Sequence, residues 1–216
     1  MHFSLTDLAA DITQNGAESG ASLLELEVRE SRIAPSAPSV EFRFIIKDNG
    51  KGMSGSVLDR AMDPFVTDGV KHPGRRVGLG IPFLIQTAVQ SGGGWSISSV
   101  TQGGETAARS GGTGACAGGQ AAPVVPGTTV EAWFDLANVD TPPAGDIPGL
   151  FRTALLFHGP EEIILKRSRK GLEGKADLDY EARKTELAEA LGGDLEDVSS
   201  LVLLGRYLCS LENVDD

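Results

Sequence analysis

Apolar residues recur at two different periods along the first fifty positions. Leu5, Leu8, Ala9 and Ile12 fall at i, i+3, i+4 and i+7, one stripe of a 3.6-residue period, so the spacing predicts an opening helix. Ser4 is placed to cap it, with Asp7 three residues on as a weaker form of the capping box. Beside the apolar stripe runs a row of Asp7, Asp11, Asn15 and Glu18. Such a helix suits the wall of a polar pocket, and it also suits a plain protein surface. The period then drops to two. Leu24, Leu26 and Val28 alternate with Glu25, Glu27 and Arg29, and Val40, Phe42, Phe44 and Ile46 alternate with Glu41, Arg43, Ile45 and Lys47. A Pro/Ser link joins the two runs, which therefore read as an antiparallel hairpin. Counting on by two from Ile46 reaches Asp48, so the second strand aims a carboxylate to the same side as four apolar residues. A buried, unpaired charge is expensive, so this acid requires a dedicated partner.

Further along, residues 54–62 read as a short helix and 63–78 as a Gly/Pro-broken loop. The dense apolar run 79–89 reads as a largely buried helix, with Pro82 tolerated in its first turn and Gly92, Gly93 and Gly94 ending it. Strands are expected at 95–100 and 129–136. The Gly/Ala/Ser stretch between them, 101–127, has almost no apolar bulk and reads as a flexible insertion interrupting a hairpin. Its glycines do not stand between a strand and a helix, which argues against a phosphate loop. Past a proline-marked boundary at 140–146, helices are expected at 147–157, 180–191 and 195–211, with a strand at 161–167. The expected organisation is thus one domain over 1–140 and a small, mainly helical C-terminal appendage over 145–216.

Composition narrows the partners. The chain has 216 residues, 40% hydrophobic and 23% charged, an ordinary globular balance. Nineteen basic against thirty acidic residues leave a net charge of -11, which argues against non-specific nucleic-acid binding. No apolar run approaches the roughly 20 residues that span a bilayer. The N-terminal stretch has no basic region and two early aspartates, unlike a signal peptide. Cys116 and Cys209 are too few for a disulfide framework or a metal site. The expectation is a soluble, cytoplasmic, acidic protein with no nucleic-acid or membrane partner.

Three glycine/acid clusters follow one another: DITQNG (11–16), DNGKGM (48–53) and VGLGIP (77–82). Singly, each reads as a turn or as room for a helix to start near a sheet. Their order, the strand before Asp48 and the helix opening near Gly78 together resemble the gyrase, heat-shock chaperone, histidine kinase and MutL superfamily of ATP-binding domains. The resemblance covers about residues 5–136, with DPFVT (63–67) similar to the phenylalanine box of histidine kinases. Within that superfamily, GKGM, DPF, VGLGIP and the boundary at 140–146 most resemble stand-alone kinase-like ATP-binding proteins encoded near iron-only hydrogenase genes.

That resemblance implies an α+β fold, a two-layer sandwich with helices on one face of a mixed, mostly antiparallel sheet. It implies ATP and magnesium as cofactors. Asp48 would accept a hydrogen bond from the adenine amine, Gly50 and Gly52 would let the backbone approach the ring, and Met53 would pack on its face. Asn15 resembles the superfamily's magnesium-binding asparagine, a hard oxygen ligand. The backbone N–H groups of Gly78, Leu79, Gly80 and Ile81 would meet the phosphates at a helix start. Thr67 is carried over as an ATP contact, and Lys71, Arg75 and Arg76 would neutralise phosphate charge from a lid over 63–77, unless they are simply solvated. Thr128 resembles the threonine that supports the adenine-binding acid.

Two departures stand out. Asp11 replaces the glutamate that activates water in hydrolysing members, and its shorter side chain falls short of that reach. A weak base, an outer-sphere magnesium partner and a surface acid are all open to it, the second being favoured. Arg76 and Val77 stand where a glycine and a small residue are common. A phosphorylatable histidine on an upstream dimerising hairpin is not expected, and His2, His72 and His158 read as surface or loop residues. The resemblance therefore implies a magnesium-ATP-binding regulatory protein: a kinase transferring phosphate to a separate protein, as in anti-sigma-factor serine kinases, or a slow ATPase. The alternative is a degenerate module acting through protein contacts. An unidentified protein partner is expected, and a homodimer is among the expected assemblies.

Overall fold

Ser4 caps the opening helix as expected. Its Oγ accepts the Asp7 amide at 3.2 Å, and α1 runs Leu5–Ala17. The computed structural model describes residues 4–32, 39–65, 79–113 and 125–213. The period-two segments become β1 (Leu23–Arg32) and β2 (Val40–Asp48), paired antiparallel with Leu26 opposite Ile46. Then come α2 (Gly55–Met62), α3 (Gly80–Gln90), β3 (Gly94–Val100), β4 (Thr106–Gly112) and β5 (Gly127–Asp135). The rest of the chain forms α4 (Ile147–Leu155), β6 (Glu162–Lys170), β7 (Leu178–Arg183), α5 (Lys184–Ala190) and α6 (Val198–Glu212).

The strands make one sheet in the order β4-β3-β5-β2-β1-β6-β7, antiparallel throughout except where β6 lies parallel to β1. This is the expected two-layer α+β arrangement. Alternation sends Leu24, Leu26 and Val28, Phe42, Phe44 and Ile46, and Val130, Ala132 and Phe134 into a common core with Leu5, Leu8 and Ile12 of α1 and Phe151 of α4. Phe134 lies beside both Phe42 and Phe44, with ring centroids 6.5 and 5.7 Å away. On the opposite face, polar positions pair across strands, Lys166 with Glu25 at 2.8 Å and Arg43 with Glu131, and along β2, where Arg43 bonds Glu41 at 2.8 Å. The Arg43 guanidinium also sits 5.0 Å over the Trp133 ring, covering an aromatic that would otherwise face water.

Two expectations are corrected. Residues 106–112, read as part of a flexible insertion, form β4, which pairs with β3 from Val100↔Thr106 to Gly94↔Gly112. An edge strand needs apolar bulk on little of its surface, and in β4 only Ala107 is buried. Charge fixes it from above: Arg109 makes two bonds to Asp59 of α2, at 2.9 and 3.0 Å, and Glu105 accepts the Gly55 amide at 3.0 Å. Residues 114–124 of that insertion lie outside the described residues. Secondly, helix was expected from Tyr180, but 178–183 is β7 and the helix begins at Lys184. Leu178 and Ala182 are buried and Tyr180 partly so, whereas Asp179 and Glu181 on the other side are more exposed, a period of two written in residues that also favour helix.

The C-terminal segment is also more than a helical attachment. It supplies β6 and β7 to the same sheet, and Leu204 and Leu208 of α6 join the same core. Arg167 of β6 is fully buried, bonding Glu30 of β1 and, at 2.9 Å, Glu212 at the end of α6. Tyr180 donates its hydroxyl to Glu212 at 3.1 Å; burial, and then the Glu212 charge, push that phenol well above its ordinary titration range. No helix of the described residues is long and apolar enough to cross a membrane.

Candidate functional site

Four pieces of backbone converge at one end of the sheet. The first is the C-terminal half of α1, whose apolar stripe faces the core and leaves Asp11 partly buried and Asn15 exposed. The start of this helix is held by the proline segment: the Leu5 and Thr6 amides donate to the carbonyls of Pro143 and Ala144 at 2.9 and 3.0 Å.

The second piece is the end of β2. Asp48 stands between Leu24 of β1 and Thr128 of β5 and is partly buried. Its Oδ1 accepts two hydrogen bonds, from the Ser19 hydroxyl at 3.0 Å and the Gly50 amide at 2.9 Å. Burial pushes this carboxyl above the ordinary aspartate range, against the pull of Gly50, Ser19 and Thr128, whose donors favour the charged form. The expected dedicated partner therefore exists, and it is neutral. Asn49 serves the backbone instead. Its Oδ1 accepts the Ser22 and Leu23 amides, both at 2.9 Å, which closes the turn below the strand.

The third piece is the loop 50–53 against β3 and β5. A β-carbon added at Gly50 would stand 1.9 Å from Ser19 Oγ, and one at Gly52, where φ is +67°, would stand 1.9 Å from the Val100 carbonyl oxygen. Both glycines are thus demanded by the protein's own atoms. Met53 is partly buried and packs against the core, and its amide donates to Ser99 Oγ at 2.7 Å. Ser99 also reaches the Gly127 carbonyl at 3.1 Å and the Thr128 hydroxyl at 2.9 Å. A serine has one proton to give; with it on the Gly127 carbonyl, Thr128 is the donor to Ser99. Buried Thr128 and Ser99 thereby join the loop to the strand carrying Asp48's neighbour.

The fourth piece is the start of α3. Leu79 stands at its N-cap and makes no side-chain cap bond, and Pro82 in the first turn has no N–H to satisfy. A β-carbon added at Gly80 would stand 3.1 Å from Asp11 Oδ2 and 3.5 Å from Asn15 Nδ2. The helix start and the polar row of α1 thus meet in one corner, where a β-carbon would press on the Asp11 carboxylate. Ile81 is partly buried against the core. The structure therefore brings together Asp11, Asn15, Asp48, Gly50, Gly52, Met53, Leu79, Gly80, Ile81 and Thr128. Thr67, Lys71, Arg75, Arg76 and Gly78 lie outside the described residues.

Sequence reasoning passed over Ser19 and Ser99. Ser99 left a signal, since it is the polar member of the buried alternation Trp95, Ile97, Ser99. Ser19 left none, because its bond to Asp48 spans 29 positions and follows a helix end of ordinary turn composition.

The backbone at Gly52 yields a direct test. Gly52→Ala combines a strained φ with a steric collision against a carbonyl and should cost about 3 kcal/mol or more. In thermal unfolding followed by circular dichroism, that lowers the midpoint by about 6–12 °C. Gly55→Ala is the control, since its nearest atom would be 3.9 Å from the new carbon. Equal midpoints for the two variants would remove the steric argument.

A family model described as histidine kinase-, DNA gyrase B-, and HSP90-like ATPase matches residues 4–138, the span from α1 through β5 that contains all four pieces.

Proposed function

The chain belongs to the histidine kinase-, DNA gyrase B-, and HSP90-like ATPase family, and we propose that it is a magnesium-ATP-binding regulatory protein that acts on a separate protein partner. The supporting observation is the meeting of Asp11, Asn15 and Gly80 in one corner, with Asp48 one turn of backbone away beside Gly16. In this reading the base lies between α1 and the sheet with its exocyclic amine on Asp48. Met53 lines the base, Thr128 supports the acid through its backbone, and the phosphates meet the uncapped N–H groups at the start of α3. Lys71, Arg75 and Arg76 supply countercharge, and Thr67 is a further contact.

The donor set in the corner suits magnesium. The Asn15 amide offers a hard oxygen and the Asp11 carboxylate stands beside it, and magnesium usually keeps phosphate and water as its remaining ligands. Such an ion, when bound, screens the phosphate charge. Asp11 would serve it as a hydrogen-bond acceptor for bound water rather than as a ligand. An aspartate is one methylene shorter than the glutamate that activates water elsewhere in the family, which favours phosphoryl transfer to a protein serine or histidine over hydrolysis. A second reading, a binding module without phosphate competence, is favoured by Arg76 and Val77 in the glycine cluster and by the exposed Val198, Val202, Leu203 and Tyr207 on α6.

Isothermal titration with ATP, in magnesium and in EDTA, separates these readings. Measurable affinity that weakens in EDTA is expected, and Asn15→Ala should lose about tenfold in the magnesium buffer while changing little in EDTA. An unaltered magnesium dependence removes Asn15 as a ligand, and no affinity in either buffer removes the nucleotide reading. Transfer of labelled phosphate to candidate partner proteins then distinguishes a kinase from a nucleotide sensor.

A further inference from the structure

A carboxylate offers about four lone-pair sites, two on each oxygen. In Asp48 both sites on Oδ1 are taken, by the Ser19 hydroxyl at 3.0 Å and the Gly50 amide at 2.9 Å. Neither donor is incidental. Gly50 is buried, and a β-carbon there would come within 1.9 Å of Ser19 Oγ and 2.9 Å of Asp48 Oδ1, so the glycine is what seats the serine against the acid. Oδ2 faces the other way, towards Gly16, where an added β-carbon would stand 3.8 Å off. Gly16 sets no side chain of its own against that oxygen. Among the described residues, beyond the two donors on Oδ1, the carboxyl takes a hydrogen bond only from the Thr128 backbone, which leaves room for one further donor such as the adenine amine.

The two purines make opposite demands on such a group. Guanine carries adjacent, parallel donors, its ring N1–H and exocyclic N2–H, which together call for two carboxylate oxygens. Adenine carries one exocyclic amine beside a ring nitrogen that is itself an acceptor and would be repelled by a second oxygen. We infer that Ser19 is a positioning residue for base selection: with the Gly50 amide it occupies Oδ1, leaving Oδ2 as the single oxygen that can read a base, which admits adenine and denies guanine its two-oxygen pairing. The inference rests on the nucleotide reading above and adds to it the residue that sets the base. Ser19 has a second effect through the same bond. Its donor favours the charged carboxylate that the amine needs, against burial, which favours the neutral acid.

The test is titration of the intact chain with magnesium-ATP and magnesium-GTP between about pH 5 and pH 8, for the parent, Ser19→Ala and Ser19→Thr. The parent should prefer ATP. Ser19→Ala should narrow the ATP-to-GTP affinity ratio by about tenfold. It should also lose ATP on acidification at a higher pH than the parent, since removing a donor raises the Asp48 pKa. Ser19→Thr keeps the hydroxyl and should follow the parent on both counts. A merely structural serine would move neither the ratio nor the acid limb. If the parent binds ATP and Ser19→Ala keeps its ratio and acid limb, the assignment of Ser19 is overturned while the nucleotide reading stands. If Ser19→Thr changes as far as Ser19→Ala, the hydroxyl is not the cause and the assignment again falls. A parent that binds neither nucleotide overturns both.

Discussion

Asp48→Asn is expected to weaken ATP binding by about 100-fold or more, while the nucleotide-free protein at neutral pH melts no earlier than its parent. The asparagine cannot choose its orientation freely. Ser19 and Gly50 both donate towards Oδ1, so the amide oxygen must take that place and the NH2 group takes the place of Oδ2. A donor then confronts the adenine amine, itself a donor. Stability moves the other way. The folded state holds the Asp48 proton more tightly than the unfolded chain does, because burial raises its pKa. The stability gained from the protonated acid is fully present below about pH 3.9, the unfolded value, and is lost as pH rises through the higher folded value. Above that window the charge is a burden on the apo fold that a neutral amide does not carry. Titration calorimetry and thermal unfolding on the same samples check the pair of outcomes. Parent-like affinity would remove Asp48 from the site, and a much lower melting point would mean that its charge supports the fold.

Arg167→Ala should produce the largest loss of stability, about 3–5 kcal/mol, because it leaves buried Glu30 without its cation and Glu212 with only the longer ion pair to Arg169, at 3.7 Å. Glu30 is buried and Glu212 nearly so, and both bond the guanidinium. For a chain of this size the midpoint should fall by roughly 6–20 °C. Removing the charges together is gentler: Arg167→Met combined with Glu30→Gln and Glu212→Gln should recover most of the loss. If Arg167→Ala melts within a degree or two of the parent, water reaches those carboxylates and the network is not as closed as its burial implies.

The elements whose periodicity follows one face were legible in the sequence. Leu5, Leu8, Ala9 and Ile12 with Ser4 before them specify α1 from local terms alone, and counting by twos from Val40 puts Asp48 on the core side of β2 before any contact is known. What stayed hidden depends on partners far along the chain. Residues 178–183 contain good helix formers and an alternating pattern, and pairing with β6 decides between them. β4 has almost no apolar signal, so its state is set by β3 beside it and by Asp59 of α2 above it. The acid of the site could be read from local spacing. The serine that occupies one of its oxygens could not, since only the folded turn brings Ser19 to Asp48.

The parallel seam between β1 and β6 has a practical bearing on anyone wishing to borrow the ATP-binding half alone. A truncated chain halted at the prolines would leave a ten-residue β1 bare along one margin, its amides and carbonyls free to recruit strands from other copies, and the acid at position 30 without Arg167, the cation it bonds. It would also loosen the two carbonyls that hold the first turn of α1. Such a fragment should come out of cells as inclusion bodies, and a graft that works must bring everything through the last helix with it.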